Sequence, residues 1–291
     1  MRTPAWAVPL VMVAVIAVWG AAFSGIKFLL QDLSAGALTA GRLLIAAVTY
    51  LLMLPFVRGP APDRRKGDLL KLVSVGVFGS AAYHLAINWG EQYVSAGVAS
   101  LLVATMPVMV AVAAAVLLRE SFGVRRAAGV AVAFAGVGLL VAASGQGLQA
   151  RSVRGVLVTM IAPVAWALYT LVSKPLAARY DGVRLNLTGA WVGALVLAPF
   201  AVREASSFAS LDAAAWSWLI YLGVLSTAVS YVAWSWCLRR WPASRLATFV
   251  YLVPVSSLLW AWALLGERPT AGSLAGGAMI LGGVVLVQQG G

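Results

Sequence analysis

The chain has 291 residues, of which 62% are hydrophobic and only 10% are charged. A soluble domain carries about a quarter charged residues because its surface must stay hydrated, so this composition excludes an ordinary soluble protein. The single cysteine, Cys237, excludes an intrachain disulfide, and together with the single histidine, His84, it cannot supply the ligands of a zinc site. We therefore expect no metal and no cofactor.

Apolar runs long enough to cross a membrane recur along the whole chain, and each of them predicts a transmembrane helix. The first run is too long for the apolar part of a signal peptide, so we interpret it as a retained span. In chain order the predicted spans are 8–30, 35–57, 69–89, 94–118, 124–143, 155–176, 185–202, 214–237, 244–265 and 270–288. The sequence thus predicts an all-α membrane protein of ten transmembrane helices.

The net charge of +12 has a topological explanation, because the basic residues lie almost entirely in alternate connections. Fifteen of them occupy the N-terminus and the four loops of one face: Arg2, Arg58, Arg64, Arg65, Lys66, Lys71, Arg119, Arg125, Arg126, Lys174, Arg179, Arg184, Arg239, Arg240 and Arg245. The opposite face has only Arg151, Arg154, Arg203 and Arg268. The positive-inside rule then predicts that both termini are cytoplasmic, in a bacterial inner membrane. The expected partner is the lipid bilayer and not a nucleic acid.

The chain repeats itself at a constant offset of 147 residues. This shift lays Trp19 on Trp166, Lys27 on Lys174, Pro107 on Pro254 and Glu120 on Glu267. Matches of alanine or glycine are common by chance in a membrane protein, whereas repeated Trp, Lys, Pro and Glu at one offset are not. We therefore predict a first five-helix repeat, residues 1–146, and a second, residues 147–291, within one integral membrane domain.

Five spans in each repeat is an odd number, so the two repeats must enter the membrane in opposite directions. Many secondary transporters are built from such inverted repeats, which rock about a site near the midplane and expose it alternately to each side. The predicted fold is therefore two inverted five-helix repeats with both termini cytoplasmic. Duplication for stability alone is the alternative.

Three stretches of the sequence resemble motifs of the drug/metabolite transporter superfamily, in its EamA-type ten-helix branch. Residues 19–27 (WGAAFSGIK) resemble the first-span motif, and residues 41–44 (GRLL) resemble the second-span arginine motif. The stretches 107–129 and 254–276 resemble a signature that occurs twice. The resemblance covers nearly the whole chain and implies a multi-pass transporter of small organic solutes. Within the branch, the chain is similar to amino-acid exporters, including exporters of aromatic amino acids.

Polar side chains follow one face of the third and eighth predicted spans. Ser80, His84 and Asn88 are spaced i, i+4, i+8, and the repeat offset places Thr227 and Tyr231 on the same stripe of the eighth span. Because His and Asn are costly to expose to lipid, we expect both stripes to line a substrate cavity between the halves. Hydrogen bonds between neighbouring helices are the alternative role for these residues.

Aromatic residues accompany these stripes. Trp19, Phe23 and Lys27 share one side of the first span, and Trp166 repeats Trp19 in the sixth. A pocket lined by aromatic rings with few polar groups suits a partly hydrophobic organic solute, and the ring faces also attract a cationic amine. The aromatic residues that we assign to this pocket are Trp19, Phe23, Tyr83, Trp166, Tyr169 and Trp234. An interfacial aromatic belt is the alternative for tryptophans near span ends.

Two cations within predicted spans belong to the candidate substrate site. Lys27 lies near the end of the first span, where it either attracts a substrate carboxylate or extends to the membrane interface. Arg42, early in the second span, either binds a carboxylate or pairs with Asp32. The sequence alone leaves both alternatives open for each residue.

These features predict a secondary transporter that exports small organic metabolites by alternating access, in the first place amino acids with aromatic or hydrophobic side chains. An exporter of other amphiphilic solutes, driven by proton antiport, is the alternative. An intramembrane enzyme is disfavoured because a serine nucleophile would have only His84 as its base.

No Asp or Glu lies in the middle of a predicted span, and such acids are the usual proton relays of transporters. We therefore expect facilitated or exchange transport, with proton antiport through His84 as the alternative. The glycine-rich fifth and tenth spans are expected to form a scaffold or the surface of a homodimer.

Overall fold

The structure is a computed structural model that describes residues 6–57, 65–118, 123–143, 150–177, 179–238, 240–241 and 249–289. The regular secondary structure of these residues is entirely helical, and no strand occurs among them. The helix surfaces expose large apolar side chains, such as Phe56, Leu259 and Trp262, which are 84%, 61% and 59% exposed. Such a surface suits lipid and not water.

In the described ranges the principal helices of the first half are α1 (Ala7–Leu29), α2 (Ala35–Met53, extended by the 3-10 turn Leu54–Phe56), α3 (Asp68–Val75, Gly76–Ala82 and Tyr83–Gly90), α4 (Ala96–Val103 and Met106–Leu118) and α5 (Val124–Ala142). The second half continues with α6 (Ala150–Thr159 and Ile161–Ala177), α7 (Gly182–Arg203), the short helix Ala205–Ala209, α8 (Ala213–Tyr221, Leu222–Val229 and Ser230–Leu238), α9 (Val253–Leu265) and α10 (Ala271–Gln289). The middle pieces of α3 and α8 are π-helical.

The ten predicted spans correspond in order to α1 to α10. Eight of these helices, all except α5 and α9, are long and apolar enough to cross a membrane, which confirms the prediction at those positions. The helix α5 carries Arg125 and Arg126 in its first turn and is not one of the eight. The helix α9 has 13 residues, because residues 251–252 form a turn before it, and residues 244–248 of the predicted ninth span lie outside the described chain. The fifth and ninth spans stay predictions.

Helix pairs recur between the two halves of the chain. The helix α1 packs along α9 and α6 packs along α4, whereas α2 and α7 pack along each other. The π-helical piece of α3 contacts α7, and that of α8 contacts α2. Under the 147-residue offset each of these contacts has its counterpart in the other half. The inverted orientation of the repeats stays a prediction.

Local signals set helix boundaries at matching places in the two halves. The side chains of Ser34 and Asp181 cap α2 and α7, each accepting a hydrogen bond from a backbone N–H of the first turn. Pro107 is the second residue after the break in α4 at 104–105, and Pro254 is the second residue of α9. Proline has no N–H with which to continue a helix from the preceding turn, so both prolines mark helix starts.

Glycines bring α5 and α10 into backbone contact. A Cβ on Gly129 would lie 2.6 Å from the carbonyl O of Gly283, and a Cβ on Gly136 would lie 2.7 Å from the carbonyl O of Gly276. Only glycine permits such close approach, and small residues favour helix association in membranes. The two helices therefore form a tightly packed pair, and a homodimer surface on it stays a prediction.

Candidate functional site

The centre of the candidate site is the place where α3 meets α8. His84 and Tyr231 occupy equivalent positions 147 residues apart, and Nε2 of His84 lies 3.4 Å from Oη of Tyr231. Nδ1 of His84 lies 2.8 Å from the carbonyl O of Ser80. Because a carbonyl only accepts hydrogen bonds, Nδ1 carries the hydrogen, and Nε2 of the neutral ring accepts from the tyrosine. Two partners therefore hold the imidazole in one orientation.

A continuous set of rings from α1, α3, α6 and α8 surrounds this contact. The aromatic cluster consists of Trp19, Tyr83, His84, Trp166, Tyr169, Tyr231 and Trp234. The ring centroid of Trp166 lies 5.1 Å from that of Tyr83 and 6.1 Å from that of Tyr231. The ring centroid of Trp19 also lies 6.1 Å from that of Tyr231. These distances lie in the range of about 4.5 to 7 Å at which aromatic pairs attract each other.

Two rings of the aromatic cluster are held by neighbouring backbone. Nε1 of Trp19 donates to the carbonyl O of Ser226, at 3.1 Å, in the π-helical piece of α8. The ring of Tyr169 packs on Gly79, in the π-helical piece of α3, where a Cβ would collide with it. Irregular turns of this kind are frequent at functional sites. The two π-helical pieces thus shape both sides of the cluster.

Arg42 is a buried cation that adjoins the aromatic cluster through Ser226. It is 5% exposed, and its Nε and Nη2 donate to the hydroxyls of Thr227 and Ser226 at 2.8 and 3.1 Å. Among the residues that the structure describes, no carboxylate lies within ion-pair distance of Arg42. Asp32 is exposed on the surface. The predicted alternative of an Arg42–Asp32 pair is therefore wrong.

Asn88 lies one helical turn from His84 and is fully buried. Its Nδ2 donates to Oγ1 of Thr39 on α2 at 2.8 Å. Thr39 uses its own hydrogen on the carbonyl O of Ala35, at 2.6 Å, and so must accept from Asn88, which fixes the amide orientation. Oδ1 of Asn88 is buried and has no hydrogen-bond partner in the described chain. The residue joins two helices and keeps one unused acceptor.

Besides Arg42, Asn88 and Thr227, three further predicted site residues lie outside the aromatic cluster. Phe23 is buried in the apolar core. Ser80 packs against α7 and reaches the site only through its backbone carbonyl. Lys27 donates from Nζ to the carbonyl oxygens of Glu91 and Val94, at 2.6 and 3.0 Å. The ammonium group of Lys27 therefore ties α1 to the turn that follows α3.

Two polar residues near the site, Ser226 and Glu91, are not indicated by the sequence patterns. Ser226 and its predicted neighbour Thr227 both accept a hydrogen bond from Arg42. The polar stripes assume the α-helical period of 100° per residue, and the π-helical turn departs from that period. Glu91 is fully buried although its position between the predicted third and fourth spans indicates a loop residue. Its signal was its spacing of three residues from Asn88, which extends the polar stripe.

A cavity of about 520 Å³ lies at the end of the helix bundle where α1 and α3 end. Its charged and amide side chains are Lys27, Gln92, Glu267 and Arg268, and no ring of the aromatic cluster lines it. Within the described chain, no group of three or more His, Cys, Asp or Glu side chains is placed to hold a metal. The site therefore offers rings, hydroxyls and a guanidinium group for binding.

The chain matches the sequence profile of the EamA-like transporter family twice, over residues 5–142 and residues 153–288. The two matches together cover almost the whole chain. Each of them includes five of the principal helices described above.

Curated relatives align with the chain over nearly their full lengths. A protein of Streptantibioticus cattleyicolor, named a probable terminal-alkyne amino-acid exporter, is 34% identical over 280 residues, which are 96% of this chain and 92% of the relative. An uncharacterized transporter of Archaeoglobus fulgidus is 31% identical, with 96% and 97% covered. A probable amino-acid metabolite efflux pump of Salmonella typhimurium is 28% identical, with 94% and 91% covered.

A solved crystal structure superposes on the chain with a TM-score of 0.64 and covers 96% of each chain. The sequences are 19% identical, so this similarity concerns the fold alone.

Proposed function

From the premise that the chain belongs to the EamA-like transporter family and is a multi-pass membrane transporter, we propose that it exports amino acids with aromatic or other hydrophobic side chains. Two of its relatives are named as an amino-acid exporter and an amino-acid metabolite efflux pump. Both are transporters, as the family is, so an intramembrane enzyme is no longer an alternative.

The observation that carries this proposal is Arg42, a buried guanidinium group without an acid partner in the described chain. A charged side chain within a membrane is costly, and it marks a substrate or ion pathway. The two hydroxyls of Ser226 and Thr227 use only two of the five N–H groups of Arg42. A substrate carboxylate would complete the set with charge-assisted hydrogen bonds, which are about twice as strong as neutral ones.

The aromatic cluster suits the rest of an amino acid. The rings of Trp19 and Trp166 each meet Tyr231 in a T-shaped arrangement and offer apolar surface to a hydrophobic side chain. The same rings attract an ammonium group through cation–π interactions. We therefore propose that Arg42 binds the carboxylate of the substrate and that the aromatic cluster binds the ammonium group and side chain of the substrate.

Alternating access would require the contact between α3 and α8 to open. The hydrogen bond between His84 and Tyr231 is long, at 3.4 Å, and the rest of the contact is ring packing. Rocking of the two repeats, residues 1–146 and 147–291, would separate these rings and admit a substrate from one side at a time.

The distribution of basic residues supports ten spans with both termini in the cytoplasm of a bacterial cell. Under this topology the ends of α1 and α3 face outwards. Single cysteines placed in a Cys237→Ser background test the orientation. A membrane-impermeant maleimide should label Asp32→Cys in intact cells and Lys66→Cys only after lysis, and the reverse pattern would refute the topology.

Counterflow of radiolabelled amino acids in proteoliposomes tests the substrate class. We compare Phe, Trp, Thr, Leu and Lys with propargylglycine, a terminal-alkyne amino acid suggested by one relative. Selective uptake of the apolar members, abolished in Arg42→Gln and weakened in Trp19→Ala, is the expected result. Trp262→Ala, on the lipid-facing surface, is the matched control and should leave uptake unchanged.

Export of other amphiphilic solutes is the competing function. A buried guanidinium group at the site repels organic cations, so tetraphenylphosphonium should not be transported. Uptake of this cation without uptake of any amino acid would favour the competing function and remove the role assigned to Arg42.

A further inference from the structure

Glu91, the first residue after α3, is a buried carboxyl group without a hydrogen-bond partner. None of its surface is exposed. Oε1 and Oε2 are both buried, and neither accepts a hydrogen bond from any residue in the described part of the chain. An ionised carboxylate that is buried without donors is so costly that the group takes up a proton instead.

Charged groups from three other elements surround Glu91. Lys27 of α1 donates to the backbone carbonyl O of Glu91, and not to its carboxyl group, at 2.6 Å. Arg42 of α2 and Glu267, which precedes α10, act on the carboxyl group electrostatically. Burial raises the pKa of Glu91 well above its ordinary value; Lys27 opposes this shift, Glu267 reinforces it and Arg42 opposes it more weakly. The effect of burial on the carboxyl group is therefore larger than that of the nearby cations.

Asn88 offers a second unused acceptor on the same helix face. Residues 84, 88 and 91 are spaced by four and three positions, so their side chains are neighbours along one side of α3 and its extension. Oδ1 of Asn88 and both carboxyl oxygens of Glu91 are buried acceptors without donors in the described chain. A proton on Glu91 converts one of these acceptors into the donor that the pair lacks.

Glu91 lies between a packed contact and a route to water. Next to it, Gly90 packs so closely on Thr159 of α6 that a Cβ would collide with the threonine hydroxyl. Gln92, which follows Glu91, and Lys27, which bonds its backbone carbonyl, line the cavity of about 520 Å³ at the end of the bundle. A small movement at this turn would hydrate the carboxyl group.

We propose that Glu91 is the proton-binding site of the transporter: it takes up a proton from the outer solution, keeps it while the carboxyl group is buried, as in this structure, and releases it when the inner end of the bundle opens. The Oε–H bond forms with a proton from the outer solution and breaks towards the inner one. An empty transporter that closes its outer end with the proton bound would carry it inwards, so export exchanges an amino acid for a proton. This consequence rests on the proposed function, and it assigns to Glu91 the coupling that the sequence suggested for His84.

Infrared spectroscopy of the purified protein at neutral pH tests the proton site without any substrate. A protonated carboxyl group has a C=O stretching band that a carboxylate lacks, and ordinary Asp and Glu are ionised at this pH. We expect this band in the wild type and in Asp32→Asn, and its loss in Glu91→Gln. A wild type without the band, or an unchanged band in Glu91→Gln, would overturn the proposal. If Glu91→Gln does not fold, Glu91→Asp takes its place and should shift the band, and an unshifted band would overturn the proposal.

Efflux from proteoliposomes loaded with radiolabelled L-phenylalanine tests the coupling. The efflux rate with an acidic outer solution is divided by the rate at equal pH on both sides. This ratio should exceed unity in the wild type and in Asp32→Asn, and should fall to unity in Glu91→Gln. A ratio that still exceeds unity in Glu91→Gln refutes the coupling. If no variant transports L-phenylalanine, the proposed substrate fails, and the infrared band still decides the proton site.

Discussion

Two regions of the molecule use opposite means to hold helices together. Between α5 and α10 the contact is made by glycines, so that a Cβ on Gly129 would lie 2.6 Å from the carbonyl O of Gly283. Between α3 and α8 the contact is made by large rings and, in the part of the chain that the structure describes, by a single hydrogen bond of 3.4 Å, between His84 and Tyr231. The first contact has no room for a side chain at these glycines, whereas the second consists of side chains alone.

This difference teaches which contact is suited to opening. Backbone packed against backbone leaves no rotamer that would let α5 and α10 separate partly, so the pair acts as a rigid frame. Aromatic side chains around a buried cation, by contrast, would exchange their mutual contacts for contacts with a substrate. We therefore expect substitutions at the aromatic cluster to change transport, and substitutions between α5 and α10 to change stability.

The largest effect is expected for Arg42→Gln. Charge-assisted hydrogen bonds to the substrate carboxylate are worth about 1.5 to 3 kcal/mol, so transport should fall roughly 100-fold. Replacing a buried charge by a neutral amide costs little stability, so the melting temperature in detergent should stay the same or rise. A large drop in melting temperature would mean that Arg42 serves the fold and not the substrate.

Gly129→Leu should lower the stability of the protein and leave its transport activity unchanged. The added side chain meets the backbone of α10, and overpacking costs about 1 to 3 kcal/mol. The melting temperature should fall by about 5 °C, while transport per folded molecule is retained. Gly138→Leu on the same helix is the control, because nothing lies within 4 Å of a Cβ at that position. Equal destabilisation by both variants would contradict the proposal that close glycine contacts make α5 and α10 a rigid frame.

Trp166→Ala should weaken substrate binding by about tenfold, because each lost ring contact is worth about 0.5 to 1.5 kcal/mol. The measurement is the concentration of L-phenylalanine that gives half-maximal counterflow. Trp262→Ala removes a lipid-facing ring of equal size and should leave this concentration unchanged. The same shift in both variants would point to a general loss of packing.

Tyr231→Phe is expected to have the smallest effect. It removes only the hydroxyl that donates to His84 over 3.4 Å and keeps the ring in the aromatic cluster. A hydrogen bond of this length is worth at most about 1 kcal/mol, so transport should change less than about fivefold. Since the bond closes the α3–α8 contact, the change should be an acceleration. A loss as large as that of Arg42→Gln would show that the hydroxyl binds the substrate.

Much of the helical arrangement was accessible from the sequence, because lipid requires long apolar runs with internally satisfied backbone. Eight predicted spans coincide with helices long and apolar enough to cross a membrane. The rings of Trp19, Trp166 and Tyr231, chosen by their spacing, do meet in one cluster. Periodicity succeeds for these residues because they lie on regular faces that the repeat offset relates.

The partners of the polar groups were not accessible from the sequence. The partner of Arg42 was decided by α8, whose π-helical turn presents Ser226 beside Thr227. Lys27 faces the turn after α3, and its ammonium group bonds two carbonyls there. A side chain of this length reaches several elements, and the choice among them depends on how the helices pack.

The sequence by itself therefore determined that this is a membrane protein, its family, most of its helices and the polar and aromatic residues that are candidates for binding. Hydropathy, repeat spacing and motifs are properties of the linear sequence, and they can be read without knowing which residues pack against each other. Only the tertiary structure decided that, among the described residues, Arg42 lacks an acid partner, Asn88 keeps a free acceptor and Glu91 is buried. Burial and pairing arise between helices distant in sequence, and they determine what a polar group can bind.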